Sequence, residues 1–434
     1  MKIGKIDSYK VVALSAWGSK IVQGFGQILL MRFLLRAMGV ESYAIIVLLN
    51  SFLAWILLLD FGMGVTFQNF ISKQRANDLS YQKYMPKFNA LIGLLFAINA
   101  LIVIPILFFI SRRLLLPQNL YGDNLTVILF FLELFNAFAL SSVCYKFYYA
   151  EHKGYISNIF PTIATIISLI LAWGLTLLKI KSGNMLIAGG LASFLPQTII
   201  AFFTYTRLFG VGFEYDPFFA LMLWKHAKYF FLMSVFGALT LQVDIFILMR
   251  YLKSSDVVSY SILMRLLLNG IFFIYNAYLL AFMPMIAEML HKNNFKKLEK
   301  TLYRNLVIGG SIIVISIFIL SIFKSNVIGF FSKERFDINN RILFIICFYL
   351  LIRVWSDTFA IVLQSINLVK KFFFVVVFQS IISVSMQLLL VRNWGIYGII
   401  SGLIISFLCT VVWFLPYEYF KFKKKSVNVS LQEY

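Results

Sequence analysis

Apolar stretches of about twenty residues, each long enough to cross a hydrocarbon core of roughly 30 Å, recur along the whole 434-residue sequence. No other feature constrains the fold so strongly. A backbone surrounded by lipid must satisfy its own hydrogen bonds, and separate apolar stretches of this length do so as helices. With 61% hydrophobic and 18% aromatic residues and a mean hydropathy of +0.87, the chain is too apolar for a soluble globular domain. The fold class expected is all-α: a polytopic membrane protein of about twelve transmembrane helices. Their expected positions are roughly 10–33, 42–70, 87–110, 125–148, 156–178, 185–207, 228–249, 258–286, 305–323, 342–366, 373–391 and 397–419. The sequence begins Met-Lys-Ile-Gly-Lys and runs into a full-length span without a small-residue cleavage site, so no removable signal peptide is expected.

The net charge of +21 would point to nucleic acid in a soluble protein. Here the basic residues flank the spans, so they read as topology signals and contacts for anionic lipid headgroups, with no nucleic-acid partner. Of the 39 Lys and Arg, 23 fall in the termini and even-numbered connections and 13 in the odd-numbered ones; Lys20, Arg265 and Arg353 lie within spans. The positive-inside rule then makes both termini cytoplasmic. Cys144, Cys347 and Cys409 are odd in number, widely separated and inside apolar runs, which argues against a disulfide framework or a zinc site.

Two segments 218 residues apart read almost alike: Leu-Met-Arg-Phe-Leu at Leu30–Leu34 and Leu-Met-Arg-Tyr-Leu at Leu248–Leu252. Each is followed by Ser-Tyr-x-Ile, at Ser42–Ile45 and Ser259–Ile262. Transporter folds are often built from such repeats. The repeat divides the chain into two six-helix bundles, residues 1–210 and 211–434, of the same orientation because six is even. Arg32 and Arg250 would anchor the repeated helix ends at the interface. The connection Leu208–Ala227 reads as an interfacial segment between the halves.

Polar residues inside spans are costly and so face protein or water. Span one carries Ser15, Ser19, Gln23 and Gln27 at i,i+4 spacing with Lys20 beside them. On an α-helix, Arg265, Asn269 and Asn276 fall within about 40° in span eight, and Arg353 and Asp357 share a stripe in span ten. Span eleven offers Gln379, Ser383 and Gln387, and span seven Gly237, Thr240 and Asp244. These stripes would line a shared water-accessible cavity, with the basic members suited to pyrophosphate or an acidic sugar. Each also has a structural alternative: Arg353 and Asp357 neutralising each other, and Gln and Ser joining helices. Asp60 precedes Phe61-Gly62-Met63-Gly64, where it would bond backbone freed by the glycines. Pro161 and Pro196 interrupt spans five and six. No nucleotide-binding loop, metal-spaced ligand set or Ser-His-Asp group is present, so no cofactor and no catalytic residue is expected, and energy must come from a gradient.

Several segments carry a family resemblance. Met38-Gly39-Val40-Glu41-Ser42-Tyr43-Ala44 is similar to the Leu-Gly-x-Glu-x-Tyr-Gly of the O-antigen and capsule repeat-unit flippases of the MATE-like MOP superfamily. Leu58–Gly64, Phe70-Ile71-Ser72, Gln242-Val243-Asp244, Val258–Ser261 and Pro284-Met285-Ile286 also fit, in the same order. Met38 for Leu and Ala44 for Gly are departures that bear on local turn geometry. The resemblance implies a V-shaped pair of six-helix bundles, alternating access and a cationic lumen. It implies an undecaprenyl-diphosphate-linked oligosaccharide cargo (O-antigen, capsule or a related lipopolysaccharide unit) and a bacterial inner membrane. Glycosyltransferases and a polysaccharide polymerase would be partners. In this reading Lys20, Gln23, Gln27, Arg265, Asn269, Asn276 and Arg353 bind cargo, and Asp244, then Asp357, couples H+ or Na+. Asp60, Gly62 and Gly64 are structural. A drug/ion antiporter of the same fold is the alternative, although by the resemblance such proteins carry an acidic residue in the first helix where this chain has Lys20. A membrane polymerase or ligase would need a larger external loop.

Overall fold

The computed structural model describes the chain except residues 1–4, 115–123, 152, 179–181, 211, 332–338, 366–368 and 433–434, and except 273–274, 277–278, 280–285, 287–288 and 290–293 in and just after the eighth expected span. Side chains are further undescribed at 5–14, 76, 110–114, 124–125, 182–183, 269–270, 328, 331, 364–365, 369–372 and 425–432. Pro284 and Met285 therefore lie outside the described residues. The described chain is helical, with sixteen α-helices. They are α1 (Lys5–Ile56), α2 (Met63–Ala76), α3 (Met85–Ile98), α4 (Ile104–Leu114), α5 (Asn124–Ser141), α6 (Val143–Ala150), α7 (Gly154–Leu177) and α8 (Ser182–Phe209). The chain continues with α9 (Pro217–Leu241), α10 (Asp244–Tyr251), α11 (Ser254–Met264), α12 (Phe295–Phe331), α13 (Asn340–Ser365), α14 (Val369–Trp394), α15 (Ile396–Cys409) and α16 (Val411–Gln432).

Among the described residues, ten segments are long and apolar enough to cross a membrane, against about twelve expected. The difference has two sources. The first two expected spans belong to one segment, Ser15–Asp60, because α1 continues through the expected connection and departs from helical geometry only at Gly39 (φ 77°, ψ 175°). That left-handed position suits glycine and turns the connection into a kink. The eighth expected span, 258–286, is only partly described. The prolines also act differently from expectation: α7 and α8 run unbroken through Pro161 and Pro196. Helices in lipid tolerate proline where neighbouring groups re-satisfy the freed carbonyl.

The chain forms two compact units, one of Met1–Ala238 with Phe331–Lys333, the other of Leu239–Phe330 with Glu334–Tyr434. The division falls inside α9, beyond the expected 210/211 boundary. In the first unit α1 packs chiefly on α7 and α8. The repeated segment supplies core there, with Met31 fully buried, Leu34 2% exposed and Tyr43 fully buried; in the second unit Leu248 and Tyr260 are equally buried. Large apolar side chains on the outside, such as Leu101 at 77% and Phe318 at 65%, suit a lipid surround.

The segment after α8 is less of a separate surface element than expected. Its apolar-basic stretch forms the first turns of α9. Asp216 Oδ1 accepts from Phe218 N (2.9 Å) and Phe219 N (3.1 Å) as an N-cap, with Pro217 at the first helical position. Lys87 Nζ clasps this entry through Asp216 Oδ2 (2.8 Å) and Glu214 Oε1 (3.3 Å). Beneath it Phe67 and Phe88 stack at 3.7 Å, with Phe219 edge-on to Phe67.

Where α6 ends, Tyr81 donates to Glu151 Oε1, Lys153 Nζ lies 2.8 Å from Glu151 Oε2, and Arg75 Nη1 donates to Ala150 O (2.6 Å). Partial burial opposes the Glu151 charge, yet the hydrogen bonds from Lys153 and Tyr81 outweigh it and hold the carboxyl below its ordinary range. Burial and Glu151 push the Tyr81 phenol up to about 12, so it remains a donor. A lowered folded-state value means the stabilisation is present above the ordinary glutamate range of about 4.3 and is lost below it, as pH falls through the lowered value. Thermal melts of the purified protein carried from pH 7 down to about 3 should lose this term below the ordinary glutamate range, no more than about 1 kcal/mol for so partly exposed a pair. Glu151→Gln should flatten that part of the profile; an unchanged profile would contradict the assignment.

Candidate functional site

The sequence stripes resolve into two groups of side chains, one in each unit. In the first unit the face of α1 carrying Ser15 and Gln23 meets α7. Asn158 Nδ2 donates to Ser15 Oγ (3.0 Å), and Gln23 Nε2 to Thr162 Oγ1 (3.0 Å). Tyr149 completes the Asn158 side chain through its Oδ1 (2.6 Å). These contacts join helices, which is the structural alternative for Ser15 and Gln23. Lys20 and Gln27 are half-buried on the same helix, as is Arg32 farther along it, whereas Arg250 in the other unit is exposed.

Asp60 terminates the short 3₁₀ turn Leu57–Asp60, after which Phe61 (φ 50°) and Gly62 (φ 74°) are both left-handed. Its Oδ1 accepts from Gly62 N (2.8 Å) and its Oδ2 from Gly64 N (3.3 Å) and Lys146 Nζ (2.7 Å). The carboxylate thus ties off the backbone freed at the break, as the sequence suggested. The salt bridge to Lys146, on α6, is an addition the sequence did not reveal. Asn99 at the head of a π-helical turn, Asn99–Val103, donates to Leu59 O (3.1 Å) and steadies the same break.

The second unit concentrates its buried charge around a broken helix. α9 ends at Leu241 and α10 begins at Asp244, leaving Gln242-Val243 between them. Asp244 is 7% exposed. Its Oδ2 accepts from Tyr260 (2.5 Å) and its Oδ1 from Ile245 N (2.8 Å), while no Lys or Arg pairs with it among the described residues. Its place in the first turn of α10 lets the helix dipole help hold the charge. Tyr260 comes from the Ser-Tyr-x-Ile repeat, sixteen residues on. Neither spacing nor composition singled it out.

Arg353 and Asp357 do face each other, Nη2 to Oδ2 at 3.3 Å. Arg353 Nη1 also donates to Tyr349 (3.2 Å), and the guanidinium lies 5.0 and 5.7 Å from the rings of Phe272 and Phe407. Stacking on aromatic faces is a strength of Arg rather than Lys. Arg265 is half-buried and opens a π-helical stretch, Arg265–Phe272, with no ion-pair partner among the described residues. The expected alignment of Arg265, Asn269 and Asn276 assumed α-helical angles, from which this i→i+5 stretch departs over Arg265–Phe272. Asn276 is half-buried; the Asn269 side chain lies outside the described residues. The stripe of span eleven turns inward: Gln379, Ser383 and Gln387 are 5, 0 and 0% exposed. Gln387 Nε2 donates to Ser383 Oγ (2.9 Å), and Ser383 Oγ to Thr240 O (3.5 Å). Ser383 thereby ties α14 to the end of α9, and Gln387 braces it from one turn along the same helix.

No protein-family profile matches the chain. In sequence it is similar to a Yersinia pseudotuberculosis protein named as an O-antigen export protein, 32% identical over 438 residues and 96% of both chains. A Salmonella typhimurium protein named as an O-antigen transporter is 30% identical over 428 residues, covering 96% of this chain and 97% of its own. Among solved structures, an inward-facing multidrug resistance MATE family transporter of the MOP superfamily gives a TM-score of 0.70 at 15% identity, over 95% of this chain and 99% of that one. The lipid II flippase MurJ, in an inward closed conformation, gives 0.69 at 15% identity over 95% and 89%. At such identities the structural likeness carries the fold alone. The two full-length sequence relatives carry the family, and this chain belongs to the O-antigen transporters, membrane proteins of the MOP-superfamily fold.

Proposed function

We propose that this chain moves an undecaprenyl-diphosphate-linked oligosaccharide from the cytoplasmic to the outer leaflet of a bacterial inner membrane by alternating access. The observation that carries the reading is the full-length identity to proteins named for O-antigen export and transport. The excess of Lys and Arg in even-numbered connections supports cytoplasmic termini. Lys20 and Arg265 attract the diphosphate or an acidic sugar, and Gln23, Gln27, Asn269 and Asn276 bond hydroxyls. Arg353 serves cargo by exchange, since an anion reaching it must displace Asp357. Asp244 is the first coupling residue and Asp357 the second, because a buried carboxylate without a cation gains from binding H+ or Na+. A drug/ion antiporter would share the fold, but the sequence relatives favour the saccharide. Glycosyltransferases would supply the cargo and a polysaccharide polymerase would consume it.

In a strain lacking this chain, surface polysaccharide should disappear and return with a plasmid copy; normal polysaccharide in the deletion strain overturns the reading. Arg265→Ala should insert at wild-type levels yet restore about a tenth or less of the polysaccharide, the effect of one lost charged contact or more. Full restoration would remove Arg265 from the site.

A further inference from the structure

The second unit carries a groove of about 820 Å³ between the start of α13 and the α14–α15 turn, within the size range of small-ligand sites. Asn340, Arg341, Phe344, Asn393, Trp394 and Tyr397 line it. We propose that this groove binds the sugar portion of the cargo on the outer face of the membrane, with Trp394 stacking on a pyranose ring and Arg341 holding its acidic group. The inference rests on the transport reading above for the identity of the saccharide and for the side on which the termini lie.

Its position follows from contacts inside the unit. Near one end of α12, Glu299 Oε1 meets Lys423 Nζ of α16 at 2.6 Å, so this end lies beside the C-terminal helix. Near the other end, Lys324 Nζ donates to Asn340 Oδ1 (2.9 Å), joining α12 to the groove. Twenty-five residues of helix separate Glu299 from Lys324, a rise of about 37 Å and more than a hydrocarbon core. The groove and the basic C-terminal helix therefore lie at opposite ends of the unit. With the termini cytoplasmic, the groove opens outside.

The groove is built as well as placed. Gly395 turns α14 into α15 in a left-handed conformation (φ 54°, ψ −129°), closed by Gly395 N to Val391 O (2.9 Å) and Gly398 N to Gly395 O (3.0 Å). The turn presents Asn393 and Trp394 on one wall. Trp394 is 57% exposed and Phe344, on the facing wall, 75%. The Asn340 carbonyl is occupied by Lys324, which turns its amide N–H groups to the remaining donor role. Asn339 Oδ1 accepts from Arg341 N (3.0 Å) and fixes the backbone beneath the guanidinium, whose side chain has no partner among the described residues. Beside the groove Arg392 lies 5.6 Å from the Tyr251 ring and adds positive potential. Aromatic faces, amides and a free cation on a rigid turn are the chemistry of acidic-saccharide recognition. An interfacial aromatic belt would explain the rings but not the amides and the open guanidinium.

Hydroxyl-radical footprinting of the full-length protein tests this, because Trp394 and Phe344 are exposed and oxidisable. The probe is the lipid-free repeat unit released by mild acid from the host's own lipid-linked pool, with the protein in nanodiscs of neutral lipid. Saturating saccharide should slow Trp394 oxidation at least about threefold. Arg341→Ala, or carboxyl reduction of the saccharide, should raise the half-saturating concentration about tenfold, as loss of one charged hydrogen bond does. Unchanged Trp394 oxidation overturns the proposal, and so does protection that carboxyl reduction leaves intact. Protection by phosphatidylglycerol alone, to which saccharide adds nothing, makes the groove a lipid seat and also overturns it. Translocation measured with the same purified protein reconstituted in sealed vesicles separates the two readings. Wild-type protein that translocates without protecting Trp394 refutes the groove alone, whereas protein that fails to translocate refutes the transport reading beneath it.

Discussion

Asp60→Ala should destabilise the first unit by about 3 kcal/mol or more, the usual cost of leaving one partner of a buried ion pair alone. Three groups depend on this carboxylate: Gly62 N, Gly64 N and Lys146 Nζ, at 2.8, 3.3 and 2.7 Å. The Asp60 side chain is 7% exposed and Lys146 37%, so the lysine regains some water and the loss sits toward the lower end of that range. The two amides fare worse. They belong to a break in the helix, and among the described residues the Asp60 carboxylate is the side-chain acceptor each of them has. Asp60→Asn, which keeps an acceptor but no charge, should fall between alanine and wild type. The same turn gives a second handle. A Cβ on Gly62 would lie 2.5 Å from Ala227 O and 3.0 Å from Phe231 N, both backbone atoms of α9, with φ at 74° adding strain. Gly62→Ala should therefore damage the same unit. Denaturation of purified protein in detergent reads all three; Asp60→Ala melting with wild type would show that the turn is not what holds α1, α2 and α6 together.

Asp244→Asn should abolish the response of transport to an imposed gradient while leaving the fold intact. The asparagine oxygen can still accept from Ile245 N while its Nδ2 donates to the Tyr260 hydroxyl, which reverses from donor to acceptor, so packing and both contacts at the α9–α10 break survive and the charge is removed. Tyr260→Phe keeps the charge but removes its 2.5 Å donor, so it should shift the pH dependence of transport and retain gradient sensitivity. A structural role predicts the reverse, with both variants unstable and the remaining activity still driven by the gradient. In proteoliposomes, an imposed pH or Na+ difference should accelerate wild type and leave Asp244→Asn unmoved. Equal acceleration of the two would move coupling to Asp357 or elsewhere.

Helices and their approximate places were legible in the sequence because lipid permits little else to an apolar stretch of this length. Their ends were less so. The connection at Gly39 vanished into α1 and the span around Asp60 broke in two, since both outcomes depend on single left-handed residues inside apolar runs. Periodicity revealed which side chains share a face but not what the face meets. Gln23 turned out to meet Thr162 and Ser383 to meet Thr240 O, contacts between helices that the stripes alone did not display. Lys146 stood near an expected span edge and was assigned to a connection, whereas its partner is 86 residues earlier. Tyr260 was visible only as part of a repeat. Long-range pairs of this kind leave no local pattern, because the residues between them carry no information about the meeting point. The pair Arg353–Asp357 was legible for the opposite reason, one helical turn being a spacing that sequence displays directly.

Translocation of a lipid-linked oligosaccharide can be read directly from the accessibility of its headgroup. Vesicles loaded with that lipid in both leaflets, with and without this chain, can be exposed to a membrane-impermeant reagent that oxidises sugars. Without the protein, only the outer-leaflet headgroups should react. With it, the inner pool should become accessible as well, and Arg265→Ala at equal incorporation should return the vesicles to outer-leaflet reaction alone. Inner-leaflet headgroups that stay protected in the presence of well-incorporated wild-type protein, with a gradient of either H+ or Na+ imposed, would contradict the account.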